Sequence, residues 1–197
     1  SPEHFELYKE YFPRPQGSLV GEKTPGYLYQ PWVAPMLKHV APETRLIVIM
    51  RDPVDRYVSN LGLLKRAGVL KGEVGANDLG TREHRIVEAM DRSRYALQLS
   101  WWLEHYPREQ FLLLQYEQCV ADPQTQLDRT YAYLGLRPQQ ASVQEIARAR
   151  KKSSVRVTLS EASRKWLGEY YAPDVRQLRE IMPDLDLSLW KSIPPLD

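Results

Sequence analysis

The run LIVIM at residues 46–50 is followed at once by RDPVDRYVS, and that junction admits few folds. Continuous apolar residues, three of them β-branched, without polar alternation are the pattern of a strand covered on both faces, as in a parallel sheet. Asp52 and Pro53 then supply a helix N-cap and the proline favoured at the first helical position. From Val54 the apolar residues recur at Tyr57, Val58, Leu61 and Leu64, a single stripe along a helix. Arg51 therefore belongs at the carboxyl end of a strand, with Ser59 about two turns into the next helix and its hydroxyl off the stripe. A guanidinium at a strand tip and a hydroxyl on the following helix can converge on one anion. Open α/β sheets bind ligands at that edge, and arginine's planar fork suits a phosphate. The same residues also fit a plainer arrangement, in which Arg51 pairs with Asp55 and Ser59 is a surface hydroxyl.

The rest of the chain alternates in the same way. Residues 5–12 read as a short helix or its end, 13–17 as a proline-glycine loop, and 19–23 as a short strand stopped by Thr24-Pro25. A brief helix is expected over 31–39, the buried strand over 45–50 and the helix carrying Ser59 over 53–66. Residues 68–80 are glycine-rich and polar, the composition of a mobile loop. One long helix is expected over 81–105, ended by Tyr106-Pro107, then a second buried strand over 111–116. Helices over 123–134, stopped by Gly135, and over 143–151 complete the pattern. There is no internal repeat. Strands alternating with helices predict a three-layer α/β sandwich around a mainly parallel sheet.

Composition narrows the function classes. A chain of 197 residues with 43% hydrophobic and 26% charged residues fits one domain, residues 1–197, with a sizeable core. A net charge of +2 argues against a dominant nucleic-acid surface, while leaving room for a local basic site. Cys119 is the single cysteine, which excludes an intrachain disulfide and points to a reducing, cytoplasmic compartment. No apolar stretch is long enough to span a membrane. His4, His39, His84 and His105 show no metal-ligand spacing, so no metal is implied.

A second segment, GEKTPGYLY at 21–29, lies upstream of RDPVDRYVS, and together they resemble the sulfotransferases that use 3′-phosphoadenosine 5′-phosphosulfate. The likeness is greatest to the carbohydrate-type (heparan) branch, in a soluble bacterial form, and runs from about Leu19 to Trp190. It includes YALQLSWWLEHYPREQFLLLQYEQCVADPQTQLDRTYAYLGL from Tyr95 onward, then YYAPDVRQLREIM followed by LDLSLW. The resemblance implies the nucleotide-hydrolase-like sulfotransferase fold. It further implies that Arg51 and Ser59 hold the donor's 3′-phosphate and that Glu22 is the general base. Lys151, Lys152 and Arg156, within the basic stretch ARARKKSSVRV, fall where family members fold a loop over the nucleotide. One part of the family pattern is not found, the glycine- and lysine-bearing phosphosulfate loop after the first strand. The expectation is a sulfotransferase body whose leading strand, loop and first helix are not included, leaving an apolar groove in the sheet and no turnover by this stretch alone.

Sulfuryl transfer needs in-line positioning, a proton acceptor and positive charge near the departing oxygen. Glu22 at a strand end suits the acceptor role, since partial burial raises a carboxylate's basicity. Lys23 points to the opposite side of a regular strand and reaches the donor where Pro25 breaks it. His84, after the glycine-rich loop, is the alternative base or an acceptor-lining residue, and Tyr95 faces the acceptor. The acceptor is a small molecule, a carbohydrate or a carrier-bound chain. Two other readings stay open: a noncatalytic nucleotide-binding or interaction module of this fold, and a kinase-like phosphoryl transferase, against which the missing Walker lysine counts.

Overall fold

The computed structural model describes residues 10, 17–69, 84–140, 142 and 157–196. Elements are labelled in chain order over these residues. α1 spans Val33–Val40, β1 Leu46–Met50, α2 Pro53–Arg66, α3 His84–Asp91, α4 Tyr95–Leu103, β2 Phe111–Gln115, α5 Tyr116–Ala121, α6 Pro123–Leu134 and α7 Glu161–Ile181. The expected helices over 5–12 and 143–151, and most of the loop over 68–80, lie outside the described residues.

β1 and β2 pair in parallel, with Leu46 opposite Phe111 and Met50 opposite Gln115. A parallel pair needs a crossover, which α2, α3 and α4 provide. Helices around a parallel pair make this an α/β fold. β2 is buried along nearly its whole length. On β1 the alternate residues Ile47 and Ile49 are 40% and 56% exposed, so one face of that strand lacks full cover among the described residues.

α2 begins where the Asp-Pro pair places it. The Asp52 carboxylate Oδ1 accepts from the Val54 N–H at 2.9 Å and the Asp55 N–H at 3.2 Å, satisfying two of the free donors of the first turn. Its stripe enters the core, where Val54, Tyr57 and Leu61 are fully buried. α6 ends at Gly135 with φ +70°, a left-handed cap that glycine adopts without steric cost. α7 lies against both α2 and α4.

Two expectations are corrected. Residues 19–23 form no strand; residues 17–24 are exposed and join no ladder, and an extended segment without a paired neighbour has nothing to satisfy its backbone groups as a strand. The long helix over 81–105 is two helices broken at Arg92–Arg94. Tertiary partners cause the break. Arg56 of α2 donates to the Ala89 carbonyl at 2.8 Å and to Ser93 Oγ at 3.3 Å. Gln98 donates to the Asp91 and Arg94 carbonyls, and Asp174 of α7 caps the new helix by accepting from the Ala96 and Leu97 N–H groups. Helical propensity yields to these contacts.

The C-terminal segment after α7 returns to the strand tips. The buried Gln115 side chain exchanges two hydrogen bonds with the Asp186 backbone, at 2.9 and 3.2 Å. Trp190 Nε1 donates to Glu117 Oε2 at 3.0 Å, and the Ser192 N–H donates to Asp52 Oδ2 at 3.1 Å. Gly168 on α7 permits this approach, because a Cβ there would fall on the Ser192 carbonyl oxygen. Gly168→Ala is therefore expected to destabilise the protein by about 1–3 kcal/mol, the usual range for overpacking, despite alanine's better helix propensity. A melting temperature at or above that of the parent protein would contradict this packing.

Candidate active site

Arg51 leaves the end of β1 and Tyr116 follows the end of β2, so the two strand tips place them side by side. The Arg51 guanidinium lies 5.1 Å from the centre of the Tyr116 ring, a cation–π contact. One of its nitrogens, Nη2, is 3.8 Å from Asp55 Oδ2, too long for a hydrogen bond but close enough for attraction between charges. The side chain keeps about a third of its surface open, 34%, which an incoming anion can use. Asp55 and Ser59 lie four residues apart on one face of α2, and Arg51 immediately precedes the cap residue of that helix. Ser59 is half-buried.

The backbone beneath this face is pinned from several sides. The Arg51 N–H donates to Tyr95 Oη at 3.2 Å, and the Asp52 N–H donates to Glu117 Oε1 at 2.9 Å. Tyr95, expected to face an acceptor, is buried, with its ring 6.3 Å from that of Trp190. Burial pushes its phenol up to about 12, against the opposing pull of the Arg56 charge and the Arg51 amide. Tyr95 is thus a support for the Arg51 turn.

Glu22 and Lys23 are exposed on the unpaired segment before Pro25, so the burial expected around Glu22 is not present in this conformation. The segment is not loose further on. Trp102 Nε1 of α4 donates to the Leu28 carbonyl at 3.2 Å, and the Arg92 guanidinium stands 5.2 Å from the Tyr29 ring. Tyr27 turns back toward Glu22. A hydrogen bond with Thr24 lowers its phenol pKa, while burial and the Glu22 carboxylate raise it, with a net rise. His84 opens α3, and nothing is described of its side chain; Lys151, Lys152 and Arg156 lie outside the described residues. The structure therefore sets Tyr95 behind the Arg51 turn and Ser59 on the helix that follows it, with Glu22 and Lys23 on a separate anchored segment.

Sequence reasoning did not single out Tyr116, Glu117 or Arg164. The first two carried a signal, standing at and just after the end of the buried strand expected over 111–116, which the structure ends at Gln115. Arg164 carried none. It reaches Asp55 from 109 residues away, with Nη1 and Nη2 each 3.0 Å from Oδ1.

The sequence model of the family described as "Sulfotransferase family" matches residues 3–140. Heparan sulfate glucosamine 3-O-sulfotransferase 3A1 of Mus musculus is 31% identical over 137 residues, 66% of this chain and 34% of that protein. Heparan sulfate glucosamine 3-O-sulfotransferase 6 of Homo sapiens is 30% identical over 140 residues, 66% of this chain and 39% of its own length. The chain thus spans little more than a third of these curated relatives. In fold it is similar to the crystal structure of a sulfotransferase from Alicyclobacillus acidocaldarius, with a TM-score of 0.77 and 24% identity over 94% of this chain and 73% of that one. With more than half of its residues matched by the family's sequence model, and with the sulfotransferase α/β fold, the chain belongs to the sulfotransferase family.

Proposed function

We propose that the protein transfers a sulfuryl group from 3′-phosphoadenosine 5′-phosphosulfate to a hydroxyl or amine of an acceptor, and that residues 1–197 belong to one domain of that enzyme. The observation that carries this reading is the Arg51 guanidinium, set against the Tyr116 ring at the tip of β1 and partly open, with Ser59 on the helix that follows. Those groups suit the donor's 3′-phosphate: a planar cation that keeps part of its surface open and a hydroxyl on the helix that follows it. The donor brings the sulfuryl group and a phosphate that leaves with the bridging oxygen.

The chain's own residues then divide the work. Arg51 and Ser59 bind and orient the nucleotide, while Tyr95 and Glu117 hold the backbone of the turn that presents Arg51. Glu22 accepts the proton of the acceptor's hydroxyl or amine, and Lys23 adds positive charge near the departing oxygen. Lys151, Lys152 and Arg156 complete the nucleotide's cover, and His84 lines the acceptor side. The relatives named for heparan sulfate support a carbohydrate acceptor. No helix among the described residues is long and apolar enough to cross a membrane. The single cysteine, Cys119, supports a reducing compartment such as the cytoplasm.

Ligand-dependent melting of the complete gene product tests the donor. 3′,5′-Adenosine bisphosphate at about a hundred times its dissociation constant should stabilise the fold by roughly 2.7 kcal/mol, with ATP, GTP and AMP well behind. Calorimetry then tests the clamp. Arg51→Ala should weaken bisphosphate binding by about 1.5–3 kcal/mol, the range for hydrogen bonds to charged groups, and leave AMP binding little changed. Ser59→Ala should act in the same direction by about 0.5–1.5 kcal/mol. Equal losses for the two nucleotides would remove the 3′-specific clamp, and preferential stabilisation by ATP would favour a phosphoryl transferase.

A further inference from the structure

We propose that Arg164 is a positioning residue for the nucleotide site: it neutralises Asp55 and thereby keeps Arg51 available to an anion. The inference rests on the reading of Arg51 and Ser59 as a 3′-phosphate clamp.

Asp55 is a carboxylate in an awkward place. It stands 3.8 Å from the Arg51 guanidinium and one helical turn before Ser59, so its charge opposes an anion bound by those two residues. It is also the natural partner of Arg51, and a short bond between them would occupy guanidinium donors and offset the charge that an anion would otherwise meet. The structure shows a different distribution of contacts. Both terminal nitrogens of Arg164 lie 3.0 Å from Asp55 Oδ1, whereas Arg51 stays 3.8 Å from Oδ2, beyond hydrogen-bond distance. Arg164 Nη1 is itself steadied by Ser192 Oγ at 3.2 Å, in the segment that returns to the strand tips. The triad of two guanidiniums and one carboxylate keeps one net positive charge. Without Arg164 the remaining pair would be neutral and Arg51 would be drawn onto Asp55.

The other carboxylates at the strand tips do not compete in this way. Asp52 accepts from the backbone of Val54, Asp55 and Ser192, and Glu117 accepts from the Asp52 N–H and Trp190 Nε1. Stability does not account for the Arg164–Asp55 contact either. The two side chains are 41% and 38% exposed, and pairs of that kind contribute little to folding. Removing Arg164 should therefore leave a folded protein in which the charge of the site has changed.

The test is a charge-rescue cycle, read by calorimetry with 3′,5′-adenosine bisphosphate and AMP on the complete gene product, with melting temperatures alongside. Arg164→Ala should lower bisphosphate affinity about tenfold, and AMP affinity far less. Adding Asp55→Asn to that variant should restore the affinity, because the competing carboxylate is gone. Asp55→Asn alone should bind the bisphosphate at least as tightly as the parent. Arg164→Lys, which keeps the charge, should retain most of the affinity, and this arm holds even if Arg164→Ala melts early. Unchanged selectivity in Arg164→Ala, or a loss that Asp55→Asn does not repair, would overturn the proposal. Arg51→Ala separates the two levels. If it too leaves selectivity intact, the clamp reading fails; if it abolishes selectivity while Arg164→Ala does not, only the role given to Arg164 fails.

Discussion

Glu22→Gln is expected to retain affinity for 3′,5′-adenosine bisphosphate and to lose turnover by about 10²–10⁴-fold, the range associated with a general base. The amide keeps the shape and much of the hydrogen bonding of the carboxylate but cannot take a proton from the acceptor. Glu22 lies in an exposed segment whose position is set further along, where Leu28 is bound by Trp102 and Tyr29 faces Arg92. Exclusion of water around the carboxylate must therefore come with the acceptor itself, and the effect should appear in kcat and kcat/KM together. Labelled donor and a panel of carbohydrate and small hydroxyl acceptors provide the measurement. Turnover near that of the parent protein would pass the role of base to His84. Loss of nucleotide affinity in proportion to activity would make Glu22 a structural residue.

The parts of this fold that could be read from the sequence are those encoded within one turn or one strand. Asp52-Pro53 marks the start of α2 because an N-cap and a fixed φ act over three residues, and LIVIM marks β1 because a fully apolar run must be covered. Gly135 marks the end of α6 for a similarly local reason. What could not be read depends on partners far along the chain. The interruption at Arg92–Arg94 follows from Arg56 and Asp174, neither of which belongs to the pattern of residues 81–105. Tyr95 has the same origin: an aromatic on a helix suggests a binding face, but Arg51, 44 residues away, takes its hydroxyl. The short run at 19–23 before Thr24-Pro25 suggests a strand, but strand formation also needs a neighbour to pair with. For the site, Arg51 and Ser59 were legible as a local spacing. The Arg164–Asp55 contact was not, because no short-range signal links residues 109 positions apart.

Trp190→Ala is expected to cost about 3–5 kcal/mol of stability, the range for removing a large aromatic from a core, and to lower the melting temperature by roughly 6–20 °C at this chain length. The side chain is 1% exposed and packs toward Tyr95, the residue that supports the Arg51 turn. Its indole N–H also holds Glu117, whose other oxygen accepts from Asp52 at the start of α2. Packing and positioning can be told apart by Trp190→Phe. The smaller ring keeps much of the buried volume but cannot donate to Glu117, so its stability loss should be clearly smaller than that of the alanine variant. Nucleotide affinity should nevertheless fall in both, since Glu117 then carries one partner fewer and the turn bearing Arg51 is less firmly held. Urea unfolding and calorimetry on the same preparations give both quantities. If Trp190→Ala melted within about 2 °C of the parent protein, the returning C-terminal segment would be no part of the core; if Trp190→Phe kept full nucleotide affinity, the link through Glu117 would play no part in holding Arg51.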